Sequence, residues 1–385
     1  MQLTNKIYLS IGLLLLFPLF QYGQSDTLSK KEQRKHKKQV KIEQGKPLFT
    51  PLAGPAYTPE LEFTIAGTAM ISFKTNPKDS LIQRSSSPIT FGFSSTGAIF
   101  AATIVSTYWF QDKMRIYADI WYKDMPDHYW GAGYDNGYYT PKSDSTTAYN
   151  RQWFWFNPRI LWQFRKYYFL GLNIDYNYTE VTDPSPGVEE DPDYIKYGPY
   201  NFNSGFGLIL RYDSRDIPVN AYKGALINFS STFYSPALGG DNTYQVFLLD
   251  LRKYIQIKRP GNTIAVQMKT RFGIGDVPYG EMSQLGSPFD LRGYTWGRYR
   301  DKSMIFFLGE YRYMFNKRSG ERSKHGVVGW LGGGSVGEDP GDFTNWLPNF
   351  GFGYRFEVQP RMNLRVDFGF GRETFGFYFN FNEAF

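Results

Sequence analysis

The chain has 385 residues, with 43 Lys and Arg against 36 Asp and Glu and no cysteine; the missing thiols exclude disulfides, thiolate metal sites and a lipidated N-terminal cysteine. Aromatic residues make up 19% of it and Gly contributes 39 positions, yet no stretch after the first two dozen residues gives the roughly 18 uninterrupted apolar residues of a membrane helix. Strands that are apolar only at every second position reconcile these facts.

Residues 1–24 carry a lone cation, Lys6, then an apolar run from Ile7 to Phe20 and a polar end at Gln21 to Gln24. This pattern predicts a secretory signal peptide, because the run is shorter than the roughly 20 residues that span a bilayer. Residues 25–50 follow as a basic tail: Lys30, Lys31, Arg34, Lys35, Lys37, Lys38, Lys41 and Lys46 face only Asp26, Glu32 and Glu43. Most of the formal charge of +7 sits here, and with so little apolar content the segment is expected to be a periplasmic tail that is disordered or transiently helical. Two roles fit it, a solvated leader or a contact to anionic lipid or an acidic partner. Nucleic acid is not expected as a partner, since an exported chain does not meet it and the basic residues lack interleaved aromatics.

From residue 51 to 385 one pattern repeats: roughly ten residues of alternating character, then a turn rich in Gly, Pro, Asp and Asn. In the stretch 350–358, Phe350, Phe352, Tyr354, Phe356 and Val358 alternate with Gly351, Gly353, Arg355 and Glu357. One face suits lipid and the other suits water. The fold class predicted is all-β, a transmembrane antiparallel barrel of about 16 strands, because closure removes the exposed edges that open sheets carry. Long connections at 124–149, 180–200, 277–302 and 337–348 fall on one end and tight ones at 111–112, 165–166 and 359–360 on the other, as extracellular loops and periplasmic turns should. The N-terminus is then periplasmic.

The sixth extracellular connection, 277–302, carries Leu291-Arg292-Gly293-Tyr294 and leads into a strand on which Phe306, Leu308, Glu310 and Arg312 share one face. An Arg-Gly pair between bulky neighbours in that place resembles the loop-six motif of the BamA/TamA outer-membrane superfamily. The resemblance implies that loop six folds into the lumen and that Arg292 pairs with an acidic residue, for which Glu310 is the candidate. Members often place an Asp in a Phe-x-Asp-x-Gly pattern on the next strand. Here that strand reads Trp330-Leu-Gly332-Gly-Gly334, so the lock is expected either to be weaker or to use Glu310 alone. Asp213, Arg215, Asp216 and Gly224 resemble the superfamily's periplasmic Asp-Thr-Arg-Asp turn, where a structural part is expected: carboxylates bonding turn amides or Arg215, and Gly224 readmitting the backbone.

At the C-terminus, Phe377, Phe379, Phe381 and Phe385 look like an outer-membrane insertion signal on a last strand running to residue 385. The first strand, 51–58, is short and Pro-bearing, so its pairing with the last should be sparse; such a seam either opens laterally, as the superfamily is thought to do, or is merely frayed. Gly333-Gly-Ser335-Val-Gly337 matches a hydrolase motif without the strand-to-helix setting of a nucleophile elbow. No catalysis, metal or other cofactor is expected. The resemblance implies an integral protein of a Gram-negative outer membrane, in contact with its lipid, that acts in membrane biogenesis or in translocation of protein or lipid. Only about 26 residues separate signal and barrel, too few for a POTRA domain, which points to a separate periplasmic or outer-membrane protein partner. The alternatives are a passive structural barrel and a small-solute pore.

Overall fold

Sixteen strands pair antiparallel in chain order and close on themselves. They are β1 (Leu48–Thr58), β2 (Glu62–Phe73), β3 (Ser85–Ser94), β4 (Ile99–Trp109), β5 (Met114–His128), β6 (Ala148–Arg165), β7 (Tyr168–Thr182), β8 (Tyr200–Asp213), β9 (Gly224–Tyr234), β10 (Tyr244–Gln256) and β11 (Asn262–Gly275). Two short strands, β12 (Ser283–Gln284) and β13 (Arg300–Asp301), pair with each other within the longest connection. The barrel resumes with β14 (Ser303–Asn316), β15 (Arg322–Gly337), β16 (Leu347–Gln359), β17 (Met362–Phe370) and β18 (Phe375–Phe381). This computed structural model describes residues 29–58, 61–79, 82–372 and 374–385; the expected signal peptide lies outside them. No helix among the described residues is long and apolar enough to cross a membrane.

Period-two alternation decides which face each side chain takes. On β16, Phe350 and Phe352 are 58% and 57% exposed while Arg355 is 1% exposed. On β14, Phe306, Leu308, Glu310 and Arg312 are buried and Phe307 and Tyr311 are exposed. The apolar residues thus form the outer surface and the charged ones are packed inside, the inverse of a soluble sandwich. The longer connections, 129–147, 183–199, 276–302 and 338–346, gather at one end of the barrel, and the tight turns 110–113, 166–167 and 360–361 at the other.

Three expectations about the chain's ends need correction. Of the two states expected for the basic segment, the described residues take the helical one, and as a defined helix: α1 spans Lys30–Glu43. Ser29 and Glu32 form a capping box, the Ser29 N–H donating to Glu32 Oε2 at 2.8 Å and the Glu32 N–H to Ser29 Oγ at 3.3 Å, and Lys, Gln, Arg and Glu propagate helix well. The first strand begins at Leu48, and it pairs with β2 from Leu48–Ser72 through Thr58–Glu62. With β18 it shares, among the described residues, a single register pair, Tyr57 with Phe377. Pro51 and Pro55 lie four residues apart, so both lack their N–H on the same edge, and an intact β2 ladder beside a depleted β18 ladder follows. The last strand ends at Phe381, where Asn382 takes a positive φ of 62°. Residues 383–385 leave the wall, and Glu383, Ala384 and Phe385 are buried at 6–8% exposure.

Candidate functional site

Asp290 shapes the motif loop from within. Its Oδ1 accepts the N–H groups of Gly286 at 2.8 Å, Ser287 at 2.9 Å and Leu291 at 2.5 Å, and its Oδ2 accepts the Ser287 hydroxyl at 2.5 Å. An Asx-type turn of this kind fixes the backbone just ahead of the motif. Burial pushes the Asp290 carboxyl up, and these hydrogen bonds only partly offset it. Leu291 and Arg292 then emerge with 0% exposure and Tyr294 with 3%.

Arg292 spans two strands. Its Nη2 donates to Glu310 Oε1 of β14 at 2.6 Å and its Nη1 to Asp367 Oδ2 of β17 at 2.8 Å. The guanidinium lies flat over Trp330 of β15, 3.6 Å from the ring centroid, adding a desolvated cation–π contact. Further guanidiniums surround the same carboxylates. Arg312 meets Glu310 Oε2 at 2.8 Å, Arg355 meets Asp367 Oδ1 at 2.6 Å and Glu383 Oε2 at 2.8 Å, and Arg365 lies 3.3 Å from Asp367 Oδ2. Four cations therefore share three buried carboxylates, held by delocalised planar forks that suit multiple bridging.

The motif backbone is fixed as firmly as the side chain. Gly293 N–H donates to Tyr378 Oη of β18 at 2.9 Å, and its carbonyl accepts the Thr374 hydroxyl. Tyr294 Oη donates to the Pro348 carbonyl at 2.7 Å. Asn349 bridges three groups: its Nδ2 donates to the carbonyls of Arg292 at 2.5 Å and Phe370 at 3.0 Å, while its Oδ1 accepts Trp330 Nε1 at 3.0 Å. Asn349→Leu strands two carbonyls and an indole N–H in a dry site, each at about 1–3 kcal/mol. A clear fall in the temperature at which the folded band converts to the unfolded one on a semi-native gel is the expected result; an unchanged temperature would show that the bridge contributes nothing.

The resemblance implies Glu310 as partner and a second carboxylate on the next strand, which is missing at Trp330–Gly334, so that a weaker lock or one on Glu310 alone is expected. That carboxylate comes instead from Asp367 on β17, and Trp330 supplies a stacking face. Alternation marked Arg365 and Asp367 as inward, but nothing local ties them to a loop 75 residues away. Asn349, Tyr378, Arg355 and Glu383 were missed for the same reason.

The second motif lies at the tight-turn end. Asp213 receives Arg215 Nε at 2.8 Å and Arg115 Nη1 of β5 at 2.5 Å. Asp216 accepts the Tyr222 N–H at 2.9 Å and Arg361 Nη2, from the β16–β17 turn, at 2.9 Å. Burial raises the Asp216 carboxyl, but Arg361 and these N–H groups more than offset it and leave it below its usual range. Gly224 has φ 108°, and a Cβ there would sit 2.3 Å from the Ser214 carbonyl oxygen, so the turn requires glycine. Of the four C-terminal aromatics, Phe377 and Phe379 are half-buried on the outer face of β18, whereas Phe381 and Phe385 are buried. Ser335 lies within β15, where its hydroxyl donates to the Asn345 carbonyl at 2.6 Å.

Comparison with known proteins agrees with this architecture. The chain resembles the crystal structure of BamA from Haemophilus ducreyi lacking POTRA domains 1–3, with a TM-score of 0.55 and 12% identity over 87% of this chain and 70% of that one. It also resembles CdiB from Acinetobacter baumannii, with a TM-score of 0.52 and 12% identity over 87% of this chain but 59%, less than two thirds, of that one. At such identity the likeness is one of fold. No curated protein matches the sequence. The family model for the Omp85 superfamily domain matches residues 86–385, well over half of the chain, and the protein is therefore an outer-membrane barrel that belongs to the Omp85 superfamily.

Proposed function

We propose that this protein acts in outer-membrane biogenesis, moving protein or lipid into or across the membrane through the seam between β1 and β18. The observation that carries the reading is the seam itself. Among the described residues one register pair joins β1 to β18, against seven between β17 and β18 and eleven between β1 and β2. Each backbone hydrogen bond left unmade lowers what must be broken to part the strands. In this reading loop six is folded into the lumen and locked by Arg292, so the arginine cluster steadies β14 to β18 while β1 and β2 swing. The tight-turn end and the N-terminus face the periplasm, where a separate periplasmic protein delivers the client.

The chain has no cysteine, so one engineered disulfide can close the seam cleanly. Tyr57→Cys with Phe377→Cys joins directly paired residues, a spacing that disulfides tolerate. Oxidised in the native strain, this pair should leave the barrel folded yet impair outer-membrane protein assembly or surface lipid, and reduction should restore both. A control pair across β1 and β2, Phe49→Cys with Ile71→Cys, should have no effect. Normal assembly with the seam shut would overturn the reading in favour of a passive barrel. Affinity purification from gently solubilised membrane should recover a stoichiometric periplasmic partner.

A further inference from the structure

Away from the arginine cluster, the inner faces of β5 to β11 enclose a cavity of about 360 Å3, covered in part by Gly280, Glu281 and Trp296 of the β11–β14 connection. That volume lies within the range of small-molecule sites, about 300–1,000 Å3. Nothing in the seam or the arginine cluster makes use of it.

Its lining has three kinds of surface. Trp153 and Trp155 alternate inward on β6 and stack with centroids 6.1 Å apart and planes 21° apart. Their indole N–H groups are engaged, with Asn177 Oδ1 at 3.2 Å and Asp175 Oδ1 at 3.0 Å, and Lys123 Nζ and Arg151 Cζ lie 5.4 Å and 5.5 Å from the Trp153 ring centroid, so a ligand meets the pair through ring surface beside these cations and not through the N–H groups. Trp296 stands edge-on to Trp153 at 6.3 Å. Around these lie Asn157, Asn173, Asn228 and Ser230, groups that both donate and accept. Aromatic faces beside amides and hydroxyls match a ring that is apolar on its faces and hydroxylated at its rim.

The third surface is cationic. Six Lys and Arg line the cavity against four Asp and Glu. Arg159 is spent on Asp119 at 2.6 Å and Arg151 faces Asp127 at 3.7 Å. Arg211, by contrast, donates to the neutral Asn228 Oδ1 at 2.8 Å, and Arg271 to the neutral Ser283 hydroxyl at 3.0 Å. Burial pushes the Glu281 carboxyl up to about 8, with Arg271 and Arg151 offsetting only part of it, so this acid does not neutralise its neighbours at pH 7. Asp213 lies close enough to Arg211, and Asp175 to Arg271, to share their charge, but the hydrogen bonds of both guanidiniums go to neutral groups, which leaves them as donors for an anion.

We propose that this cavity binds an anionic saccharide, its ring against Trp153 and Trp155 and its phosphate or carboxylate on Arg211. The ligand is either a soluble acidic sugar or the phosphorylated sugar headgroup of a surface glycolipid.

The test is calorimetric titration of the full chain in detergent with trehalose 6-phosphate, trehalose and inorganic phosphate. A phosphorylated glycolipid, intact and with its acyl chains removed, identifies the source. Trehalose 6-phosphate should bind at least about tenfold more tightly than either control, the effect of one charge-assisted hydrogen bond. Binding of both the sugar phosphate and the deacylated glycolipid supports a soluble ligand; stronger binding of the intact glycolipid supports the headgroup. Arg211→Gln should weaken binding about tenfold or more. Ser230→Trp, which fills the cavity without touching a charge, should abolish it, and keeps the test decisive should Arg211→Gln fail to fold. Equal binding of trehalose or of phosphate, no binding at all, or full affinity in the filled variant would overturn the proposal.

Discussion

Arg292→Ala should destabilise the barrel by about 3–5 kcal/mol, the scale at which a buried ion pair is broken, and Asp367→Asn should destabilise it more. The difference lies in how charge is shared. Without Arg292, Glu310 retains Arg312 at 2.8 Å, and Asp367 retains Arg355 at 2.6 Å and Arg365 at 3.3 Å. No carboxylate is abandoned; the loss is of two charge-assisted hydrogen bonds at roughly 1.5–3 kcal/mol each, and of the stacking on Trp330. Asp367, in contrast, is shared by Arg292, Arg355 and Arg365. Neutralising it leaves four buried guanidiniums to Glu310 and Glu383, and uncompensated buried charge costs more than a lost bond.

Arg365→Gln completes the series. It removes the surplus cation, one whose Nη1 has no partner among the described residues, at the loss of a 3.0 Å bond from Nη2 to the Pro288 carbonyl and of the 3.3 Å ion pair from Nε to Asp367 Oδ2. These changes oppose, and the net effect should fall within about 1 kcal/mol. The conversion temperature of the folded band on a semi-native gel, with abundance in the outer membrane, checks the order. A variant Arg365→Gln as damaging as Asp367→Asn would sink the charge account, and unchanged heat-modifiability and abundance in Arg292→Ala would remove Arg292 as an anchor of the loop.

How far the sequence carries toward this site depends on the range of the interaction. The barrel was legible because alternation is local: Phe350 and Arg355 take opposite faces through backbone geometry alone. Strand number followed from the same periodicity, and the placing of long and short connections from the parity of an up-and-down chain. Arg292 was marked by the resemblance of its loop motif, which also implies an acidic partner, and alternation then singled out Glu310 on the strand that follows, 18 residues on. Asp367 was not legible, because the chain passes through β15 and β16 before returning to the loop on β17, and no periodic signal specifies which inward carboxylate a distant arginine meets.

The ends of the chain were misread for a different reason. Composition left residues 25–50 between disorder and transient helix, and a Ser29–Glu32 capping box with strong helix formers decides for helix over Lys30–Glu43. Phe381 and Phe385 continue the aromatic rhythm of β18, yet the positive φ of Asn382 breaks the strand between them. Glu383 then reaches Arg355 at 2.8 Å and the Asn363 amide at 2.7 Å. A buried carboxylate meeting two inward-facing donors outweighs one more turn of pattern.

Gly293→Ala should release the motif altogether. At φ 109° an L residue is already strained, at about 1–3 kcal/mol. The added Cβ would also lie 2.5 Å from the Gly369 carbonyl oxygen and 2.6 Å from its carbon. Backbone cannot swing aside as a side chain can, so the loop must lift from β17, and with it go the Arg292–Asp367 bond and the Gly293 N–H bond to Tyr378. The contact is reciprocal: a Cβ on Gly369 would lie 2.4 Å from the Arg292 carbonyl oxygen, although Gly369 does not share the positive φ. Gly369→Ala therefore isolates the steric component, and Gly293→Ala should exceed it by the strain. Limited proteolysis of the folded barrel checks the pair, with the expectation of new cleavage in 276–302 for both variants and earlier cleavage for Gly293→Ala. Resistance equal to that of the wild type in both would mean that the loop is not held by this close approach.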